Sequence, residues 1–480
     1  MIPQPWDDRL ARIVAGSGIP GAAVAVVHGD RHWVRGFGVT RFGGDTPVGP
    51  RTAFDLGSCS KSYVATAVAM LVSDGALGFD DPVQKHLPEM LFDQDSVTRS
   101  ATVRDLLCNR IGLKRQIPVE SFANPDIAAL EVIQRVRHLD RLHPFREGYV
   151  YFNPGFMAGR LIVERVSGLP YGEFLERRLF GRLGMSNSAS GSDRVAHLAE
   201  RAQGHVMSGG APRPIEDLHF DNWQGAAGVY SCAEDAVPWL RFQLNAGRAG
   251  DAQLLDAAVL AETHRPHTVM PKPECKLIHC PPEAPLTEYG MGWWMTSLHG
   301  RRVVQHAGEM FAFRAQTALI PEERIGVCVM LSLAAPRHAA MAYTVLETLL
   351  TGVSRDWCEV ADRLAAEQNA DVRRLLDSAF PVGTEVPLPL ERYTGSYVHP
   401  ACGEAQVHLA NGALELSLKD GRIWDLHLEP LGGHVFESRF TRLAASAYMP
   451  VPQRVRFVVE GGRVVGLSDP NASYRRSEDP

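Results

Sequence analysis

The chain has 480 residues and a mass of 52.6 kDa, which predicts two or three domains, because a single hydrophobic core stops growing well below this length. Hydrophobic residues make up 45% of the chain and charged residues 22%, as in folded proteins, so wholesale disorder is excluded. The formal net charge of −6 disfavours a nucleic acid or an anionic membrane as a partner.

The sequence favours a cytoplasmic location. No stretch approaches the roughly 20 consecutive apolar residues that span a bilayer, so no membrane segment is predicted. The first residues, MIPQPWDDRLARIV, lack the basic stretch and the apolar stretch of a secretory signal. The eight cysteines are therefore expected to be reduced rather than paired.

The first 350 residues combine strand and helix patterns. Two strands are predicted at 22–27 and 32–38, joined by a His-Gly-Asp-Arg turn. Residues 60–77 are apolar on nearly every side, which predicts a buried helix. Further helices are predicted at 103–108, 126–138, 155–167, 171–180, 233–246 and 337–351, and strands at 302–306, 312–320 and 324–332. Because strands lie at both ends of this block, we predict one α+β unit with a single antiparallel sheet.

The other segments are predicted to be a loop, a connector and a small β domain. Residues 262–288 are rich in proline and lysine, which indicates a long surface loop, and the charged helical stretch 354–386 is interpreted as a connector. Hairpins are predicted at 405–418, at 423–429 with 434–440, and at 454–467. Six strands in so short a segment favour a small closed or strongly curved sheet. The polar tail, 472–480, is expected to be loose.

The sharpest chemical signal is the segment Gly57-Ser58-Cys59-Ser60-Lys61 at the start of the buried helix. Ser58 and Lys61 are three residues apart, so on a helix they share one face and come within hydrogen-bond reach. A serine needs a base to become a nucleophile, and a lysine amine is a base only when it is neutral. The apolar helix wall is expected to lower the pKa of Lys61 and so supply the neutral form. Alone, this spacing more often marks a lysine that extends to solvent from a helix end.

Two further motifs could complete a catalytic group. Tyr151-Phe152-Asn153 precedes an apolar helical run, and a phenol near a serine can relay its proton while an asparagine amide holds a substrate carbonyl. His306-Ala307-Gly308-Glu309 ends a predicted strand, and its small residues let the backbone approach a ligand closely. Taken singly, each motif is common in turns and strand ends, so only their combination is specific.

With S-x-x-K, Y-x-N and H-x-G in this order, the chain resembles the serine β-lactamase and penicillin-binding-protein superfamily, on the side of the class C β-lactamases, D-aminopeptidases and β-lactamase-like esterases. The resemblance covers roughly residues 8–350. It implies an antiparallel sheet flanked by helices plus an all-helical subdomain. The C-terminal segment more faintly resembles the lipocalin-like β-barrel appended to many of these hydrolases. The expected domains are therefore a catalytic domain at 1–353, a connector at 354–388 and a small β-barrel at 389–480.

The resemblance also implies a role for each matched residue. Ser58 would be the acylated nucleophile, Lys61 its activating partner and Tyr151 a proton relay. Asn153 would orient the substrate amide. The backbone N–H groups of Ser58 and Glu309 would form the oxyanion hole, the pair of donors that stabilises negative charge on the substrate oxygen.

The third motif departs from the family pattern. His306 stands where true β-lactamases carry the lysine of K-T-G, and Gly308 matches the glycine of that motif. The resemblance implies that Gly308 would bind substrate together with Asn153 and Glu309. Lysine is a fixed cation suited to a β-lactam carboxylate, whereas histidine is mostly neutral at pH 7. We therefore expect a serine hydrolase for a small ester or amide, including a D-amino-acid amide or peptide, with His306 among the catalytic residues. No cofactor or metal is expected, and the expected partners are a small-molecule substrate and further copies of the chain in a homo-oligomer.

Two neighbouring segments also differ from relatives. Residues 106–112 stand where relatives often carry a His-Thr-Ser-Gly stretch, which is expected to alter the pocket rim. Residues 310–313, Met-Phe-Ala-Phe, replace a turn that is richer in glycine, which suggests an aromatic pocket wall. Arg314 could receive a substrate carboxylate, but a surface or strand-end arginine is the favoured interpretation.

Other functional classes fit less well. The chain has no G-x-S-x-G motif of an α/β-hydrolase, and Gly36-Phe-Gly38 lacks the third glycine and the helix of a dinucleotide site. A group of loop residues could in principle bind a metal, but its spacing fits no zinc pattern: His264, His267, Cys275, His279 and Cys280. An acyltransferase or peptide cyclase, a weak β-lactamase and a non-catalytic binding module stay open as alternatives.

Overall fold

The centre of the fold is an eight-stranded antiparallel sheet, seen in a computed structural model that describes residues 5–114, 127–216, 218, 221–271, 276–418, 421–441, 452–470 and 472–477. Up to residue 331 the strands are β1 (Gly21–His28), β2 (Arg31–Gly38), β3 (Phe54–Asp55), β4 (Ala189–Ser190), β5 (His205–Ser208), β6 (Ala211–Pro214), β7 (Val229–Ser231), β8 (Arg248–Ala249), β9 (Ala252–Gln253), β10 (Thr268–Met270), β11 (Thr287–Tyr289), β12 (Trp294–Leu298), β13 (Arg301–Met310), β14 (Phe313–Ile320) and β15 (Ile325–Leu331). The central sheet has the order β10-β11-β12-β13-β14-β15-β1-β2.

Strands from the two ends of this block meet in the sheet. β1 pairs with β15, so that Ala25 lies opposite Cys328. β13 pairs with β14, which places His306 opposite Thr317. β1 and β15 are buried almost throughout, which explains why their sequences are apolar without alternation. The prediction that both ends of the block meet in one antiparallel sheet is therefore confirmed. The described residues also form three small sheets, β3-β7-β4, β5-β6 and β8-β9, which the sequence did not predict.

The prediction of one long surface loop over 262–288 is partly wrong. β10 lies within that range and β11 begins in it, and both extend the edge of the sheet, with Thr268 opposite Tyr289. Each of these strands has only three residues, too few to produce an alternating pattern, so a prediction from periodicity misses them.

Helices cover both faces of the sheet. Up to residue 351 they are α1 (Asp7–Gly16), α2 (Ser60–Ser73), α3 (Val83–His86), α4 (Asp95–Ser100), α5 (Val103–Leu107), α6 (Ala129–Arg135), α7 (Asn153–Ser167), α8 (Tyr171–Leu175), α9 (Gly181–Leu183), α10 (Ser192–Val195), α11 (Ala233–Leu244), α12 (Ala257–Thr263) and α13 (His338–Thr351). α7 packs against α2, α3, α5 and α6, which forms the expected all-helical subdomain. α1 and α13 contribute to a separate apolar core that includes the alternate residues of β1 and β15.

The central helix α2 is buried from Ser60 to Leu71, as its sequence predicts. It ends at Ser73, before the predicted Leu77, because Gly75 takes a positive φ of 73° and closes the helix end. Within the described ranges, no helix is both long enough and apolar enough to cross a bilayer.

The connector is one long helix, α14 (Trp357–Ala379). Its first residue is fully buried, and the Trp357 indole Nε1 donates a 2.9 Å hydrogen bond to the Glu347 carboxylate of α13. The same carboxylate accepts a bond of 2.8 Å from the backbone N–H of Arg355. These bonds fix the start of the connector on the first domain.

Eight strands close a barrel among the described residues after the connector, two more than the six that the sequence predicts. They are β16 (Gly395–His399), β17 (Gly403–Ala410), β18 (Ala413–Leu418), β19 (Gly421–Gly432), β20 (Val435–Phe440), β21 (Gln453–Glu460), β22 (Arg463–Ser468) and β23 (Ser473–Arg476). The predicted loose tail is wrong for β23, which pairs with β16 and closes the barrel. β16 and β23 are the first and the last strand of the barrel in sequence, so no local turn motif predicts that they pair.

Aromatic rings pack inside the barrel. Tyr393 and Phe457 have ring centroids 4.9 Å apart, and Phe436 lies 5.2 Å from Tyr393 and 5.4 Å from Phe457. The connector helix is attached to this barrel at Phe380, whose carbonyl oxygen accepts a 3.1 Å hydrogen bond from Arg454. These rings belong to the same apolar cluster as most of the core of the first domain.

Candidate active site

Ser58 lies in the short turn that leads from β3 into α2. This single 3-10 turn, Gly57–Cys59, requires a positive φ of 49° at Gly57, which glycine adopts without strain. Lys61 follows one helical turn later, and its Nζ donates a hydrogen bond of 3.0 Å to Ser58 Oγ. A second bond of 2.8 Å runs from Nζ to the carbonyl oxygen of Ala226. The amine is thus held at hydrogen-bond distance from the serine hydroxyl.

The side chain of Lys61 is fully buried. Its Nζ lies 4.8 Å from the centroid of the Tyr151 ring and 5.3 Å from that of Phe156. The interpretation of Lys61 as a lysine that extends to solvent from a helix end is therefore excluded.

Tyr151 and Asn153 lie beside this pair because Asn109 holds the backbone between them. The Asn109 side-chain oxygen accepts a 2.9 Å hydrogen bond from the Phe152 N–H, and its carbonyl oxygen accepts one of 3.0 Å from Val150. Asn153 begins α7 and is buried, and its Oδ1 has no hydrogen-bond partner within the described part of the chain. Asn109 belongs to the segment 106–112, which was predicted to alter the pocket rim. Through these two bonds that segment holds the backbone on both sides of Tyr151.

Strand β13 presses directly against the turn that carries Ser58. A Cβ atom on Gly308 would lie 1.8 Å from the carbonyl oxygen of Leu56 and 3.1 Å from the backbone nitrogen of Ser58. A Cβ atom on Gly57 would lie 2.9 Å from the backbone nitrogen of Glu309. Only glycines permit this approach, which brings the Ser58 and Glu309 N–H groups into one small region. Two such donors can stabilise a developing oxyanion.

His306 is fully buried and bonded at both ring nitrogens. Nδ1 lies 2.6 Å from the carbonyl oxygen of Ala307, and Nε2 lies 3.2 Å from the Tyr289 hydroxyl. Because a carbonyl only accepts, this geometry assigns the proton to Nδ1 and makes Nε2 the acceptor from Tyr289. Burial, assisted by the charge of Lys61, lowers the pKa of His306 well below its usual value, so the ring is neutral.

Trp294 connects the aromatic groups of the site. Its ring stacks on His306 at 4.0 Å and on Tyr151 at 5.9 Å, and lies 4.4 Å from His279. Its Nε1 donates a 3.2 Å hydrogen bond to the Tyr149 hydroxyl. Trp294 therefore positions groups from three different segments.

Glu309 of β13 lies opposite Arg314 of β14 in the strand pair. Arg314 Nε lies 3.3 Å from Glu309 Oε1. Burial alone would raise the pKa of Glu309. The positive charges of Arg314 and Lys276 outweigh this effect and lower the pKa to about 2. Arg314 lies near the start of its strand, as favoured, but it is buried rather than on the surface.

A cavity of about 330 Å³ opens in front of Ser58. Apolar and aromatic side chains form most of its wall. It is lined by Ser58, Leu142, Tyr149, Val150, Tyr151, Asn153, Trp223, Ala226, Ala227, Met270, Lys276, Ile278, His279, Trp294, Ala307, Glu309 and Met310.

Comparison with known families agrees with this arrangement. The profile of the family described as "Beta-lactamase" matches residues 6–350. The chain belongs to the beta-lactamase family. A second profile, described as a domain of unknown function (DUF3471), matches residues 380–478, the region of the barrel.

Three proteins are similar to this chain over most of its length. The chain is 26% identical over 479 residues to the unguisins hydrolase ungD' of Aspergillus campestris, covering 94% of this chain and 87% of that protein. It superposes on the octameric penicillin-binding protein homologue from Pyrococcus abyssi with a TM-score of 0.63 and 19% identity over 99% of both chains. With the D-amino acid amidase from Ochrobactrum anthropi SV3 complexed with L-phenylalanine amide, the TM-score is 0.57 at 21% identity, covering 68% of this chain and 89% of the amidase.

Within this beta-lactamase-family site, several lining residues escape prediction from the sequence. Ala226 contributes only a carbonyl oxygen, which no sequence pattern marks. Trp294 is the last residue of the segment Tyr289-Gly-Met-Gly-Trp-Trp294, in which two adjacent tryptophans are the available sequence signal. Lys276 and His279 lie in the region interpreted as a surface loop.

The loop residues considered as metal ligands are mostly engaged elsewhere. His264 Nε2 lies 3.0 Å from Gln243 Oε1, and His267 Nε2 lies 3.3 Å from the carbonyl oxygen of Glu262. Cys275 lies outside the described residues. Among those described, no group of three or more His, Cys, Asp or Glu side chains is placed to hold a metal ion.

Buried neutral histidines make the stability of the protein sensitive to acid. Burial lowers the pKa of His264 to about 3 and of His338 to about 4, and that of His306 also falls well below 6.5. Below pH 6.5 the unfolded chain binds protons at these sites and the folded chain does not, so stability falls as pH falls. Each histidine contributes a slope of about 1.4 kcal/mol per pH unit. Burial raises the pKa of Asp55 to about 7. In this pH range the folded chain therefore binds a proton at Asp55 that the unfolded chain does not bind, which offsets the slope of one histidine.

We therefore expect the urea midpoint of unfolding to fall between pH 6.5 and pH 4.5. In His338→Met the free energy of unfolding should change less steeply with pH, by about 1.4 kcal/mol per pH unit, because one proton-binding group of the unfolded chain is removed. Equal slopes in the two proteins would contradict the assignment of a neutral His338.

Proposed function

We propose that the chain is a serine hydrolase that cleaves a small ester or amide through an acyl-Ser58 intermediate. The observation that carries this proposal is the 3.0 Å hydrogen bond between Ser58 Oγ and the fully buried amine of Lys61. A serine becomes a competent nucleophile when a base beside it can take its proton. The cavity in front of Ser58 supplies room for a small substrate.

In the proposed acylation step, Ser58 Oγ attacks the substrate carbonyl carbon and Lys61, uncharged at that moment, takes the hydroxyl proton. The carbonyl oxygen becomes an oxyanion between the backbone N–H groups of Ser58 and Glu309. Asn153 orients the substrate amide. The bond to the leaving group then breaks, and Tyr151 delivers to it the proton that Lys61 has received. Water enters, and the same groups act in reverse to release the acid and restore Ser58.

The role proposed for His306 is positioning rather than contact with substrate. Its two ring nitrogens already bond to Ala307 and Tyr289, and its ring stacks on Trp294. A neutral imidazole at this point gives no cation for a β-lactam carboxylate. We therefore propose that β-lactams are poorer substrates than amides and esters.

One of the similar proteins is described as a D-amino acid amidase, which favours the amide class, and another is described as an unguisins hydrolase, which favours hydrolysis. The wall of aromatic side chains around the cavity suits an apolar side chain on the acyl part of the substrate. A D-amino-acid amide with an aromatic side chain, such as D-phenylalanine amide, is the first substrate to measure.

Labelling with a fluorophosphonate probe tests the proposed nucleophile. We expect one covalent adduct per chain, located by intact-mass and peptide mass spectrometry at Ser58, and no adduct in Ser58→Ala. Ser96→Ala, on an exposed position of α4, should label like the unaltered protein. An adduct that persists in Ser58→Ala, or no adduct in the unaltered protein, would overturn the proposal.

A further inference from the structure

The turn that joins β13 to β14 begins close to Glu309, whose N–H group belongs to the proposed oxyanion hole. Met310 lies opposite Phe313 in the strand pair, so Phe311 and Ala312 form this turn. The common two-residue hairpin turns need a positive φ, which is why glycine or asparagine usually stands there. Here the first turn residue is Phe311, and its φ is 28°. A bulky side chain is strained in this conformation, so the turn depends on contacts that hold it.

One buried guanidinium group bonds to three residues around this turn. Arg314 Nη1 donates hydrogen bonds to the carbonyl oxygens of Phe313, at 2.8 Å, and Phe311, at 3.3 Å. Arg314 Nε lies 3.3 Å from Glu309 Oε1. Because the Arg314 side chain is buried, water competes little for these bonds. Arg314 therefore connects the end of β13 with the residue whose backbone is strained.

The ion pair between Glu309 and Arg314 persists at neutral pH. Burial alone would raise the pKa of the Glu309 carboxyl, but the charges of Arg314 and Lys276 lower it to about 2. A guanidinium group stays protonated at every accessible pH. A hydrogen bond between two ionised groups is stronger than one between neutral groups. Arg314 thus has a firm anchor on β13 from which to hold the turn.

Other segments pack closely around the turn. The Phe313 ring lies edge-on against the ring of Phe54 in β3, the strand that leads to Ser58, with centroids 6.5 Å apart. A Cβ atom on Gly204 would lie 2.6 Å from the Cβ atom of Ala312. Because these neighbours occupy the space around the turn, a turn that relaxed to an unstrained φ would have to shift the end of β13.

The oxyanion hole depends on the position of this strand end. A Cβ atom on Gly57 would lie 2.9 Å from the backbone nitrogen of Glu309, so β13 and the turn of Ser58 meet through their backbones. An N–H group stabilises an oxyanion only within hydrogen-bond distance of that oxygen. A shift of about 1 Å at the end of β13 is enough to move the Glu309 N–H group out of this range.

We propose that Arg314 is a positioning residue for the oxyanion hole. Its guanidinium group holds the turn at Phe311 in a conformation that phenylalanine does not favour, and so keeps the Glu309 N–H group beside the Ser58 N–H group. The described residues that line the cavity include Glu309 but not Arg314, so Arg314 acts through the strand rather than on the substrate. This role of Arg314 rests on the proposed function.

The affinity for a transition-state analogue reports on the oxyanion hole. When phenylboronic acid binds, the Ser58 oxygen adds to boron and its proton passes to Lys61, which leaves a tetrahedral, negatively charged adduct. A boron-bound hydroxyl group of this adduct takes the place of the oxyanion. We expect Arg314→Met to weaken binding by about 10-fold or more, part of the 10²–10³-fold effect of losing a donor outright. Arg314→Lys, which keeps the charge and N–H donors, should stay within about 3-fold of the unaltered protein.

A second ligand separates the oxyanion hole from the shape of the cavity. In a Ser58→Ala background the affinity for D-phenylalanine amide should change little when Arg314→Met is added, because no oxyanion forms on this ligand. Losses of the same size for phenylboronic acid and for the amide would overturn the inference, since they would show a general change of the cavity.

Phe311→Gly tests the connection between Arg314 and the turn. Glycine adopts a positive φ without strain, so the turn no longer needs the guanidinium group. In that background Arg314→Met should weaken binding of phenylboronic acid by less than about 3-fold, because the two effects are coupled. Where Arg314→Met alone does not fold, the double variant should fold and bind. Losses that multiply as independent effects, or a double variant that does not fold, would overturn the inference.

Arg165→Met is the matched control. Arg165 also bonds to a carboxylate, that of Glu89 at 2.8 Å, and to a carbonyl oxygen, that of His86 at 2.9 Å, and none of these described residues lines the cavity. This variant should bind phenylboronic acid like the unaltered protein. Unchanged boronate affinity in Arg314→Met would overturn the inference and leave the proposed hydrolase intact. Absence of both boronate binding and fluorophosphonate labelling in the unaltered protein would overturn the hydrolase itself.

Discussion

Replacing Lys61 with methionine is expected to slow acylation of Ser58 by about 10²–10⁴-fold, the usual contribution of a general base. Lys61 Nζ is 3.0 Å from Ser58 Oγ, and methionine fills similar space without an atom that can accept the proton. The measurement is the rate of adduct formation with a fluorophosphonate, followed by intact-mass spectrometry. Labelling at the rate of the unaltered protein would contradict the role of Lys61.

A second variant separates the base from the charge at this position. Arginine keeps a positive charge at every accessible pH and cannot act as a base. If the amine accepts a proton, Lys61→Arg should lose acylation as Lys61→Met does. If Lys61 only supplied positive charge, Lys61→Arg would keep much of the rate.

Loss of activity in Lys61→Met should not reflect unfolding. Lys61 is fully buried, and removing a buried polar group together with its desolvation cost is often neutral or stabilising when the replacement has similar volume. The carbonyl oxygen of Ala226 and the Ser58 hydroxyl would lose one donor, which costs about 1–3 kcal/mol when no substitute is found. These effects oppose each other, so we expect a thermal unfolding midpoint close to that of the unaltered protein.

Much of the first domain could be predicted because its signals are local. The buried helix α2 has an apolar sequence on all sides, and β1 and β15 have the short continuous apolar sequences that fit fully buried strands. The three motifs that carry Ser58, Tyr151 and Gly308 lie at element ends, where their residue types are informative. Their convergence on one cavity came from family resemblance, because spacing along the chain contains no distances between distant segments.

The parts that could not be predicted depend on long-range contacts. β23 pairs with β16, and neither strand carries a hairpin turn that would reveal the partner. Arg314 is buried with its charge paired to Glu309, which lies opposite it across a strand pair, and this pairing depends on register rather than on composition. Lys276 reaches the cavity because buried Gln305 and the sheet hold its segment, and a proline-rich sequence alone indicates only a loop.

Replacing Gly308 with alanine is expected to lower kcat/KM by about 10²-fold or more, the usual effect of losing an oxyanion-hole donor. A Cβ atom there would lie 1.8 Å from the carbonyl oxygen of Leu56, far inside contact distance, and a backbone atom cannot rotate away. β13 and the turn of Ser58 must therefore separate. That separation moves the Glu309 N–H group away from the Ser58 N–H group, so the two can no longer bind one oxygen.

Two measurements distinguish this effect from general damage. Overpacking of a buried site costs about 1–3 kcal/mol, so Gly308→Ala should unfold at lower urea concentration than the unaltered protein but remain folded. Gly16→Ala is the matched control, since a Cβ atom on Gly16, the last residue of α1, meets nothing within 4 Å. Because the oxyanion forms during the attack on the carbonyl, Gly308→Ala should reduce kcat while the affinity for a non-reacting amide in a Ser58→Ala background changes little. Equal losses of kcat and of affinity for the non-reacting amide would show that Gly308 shapes the cavity rather than the oxyanion hole.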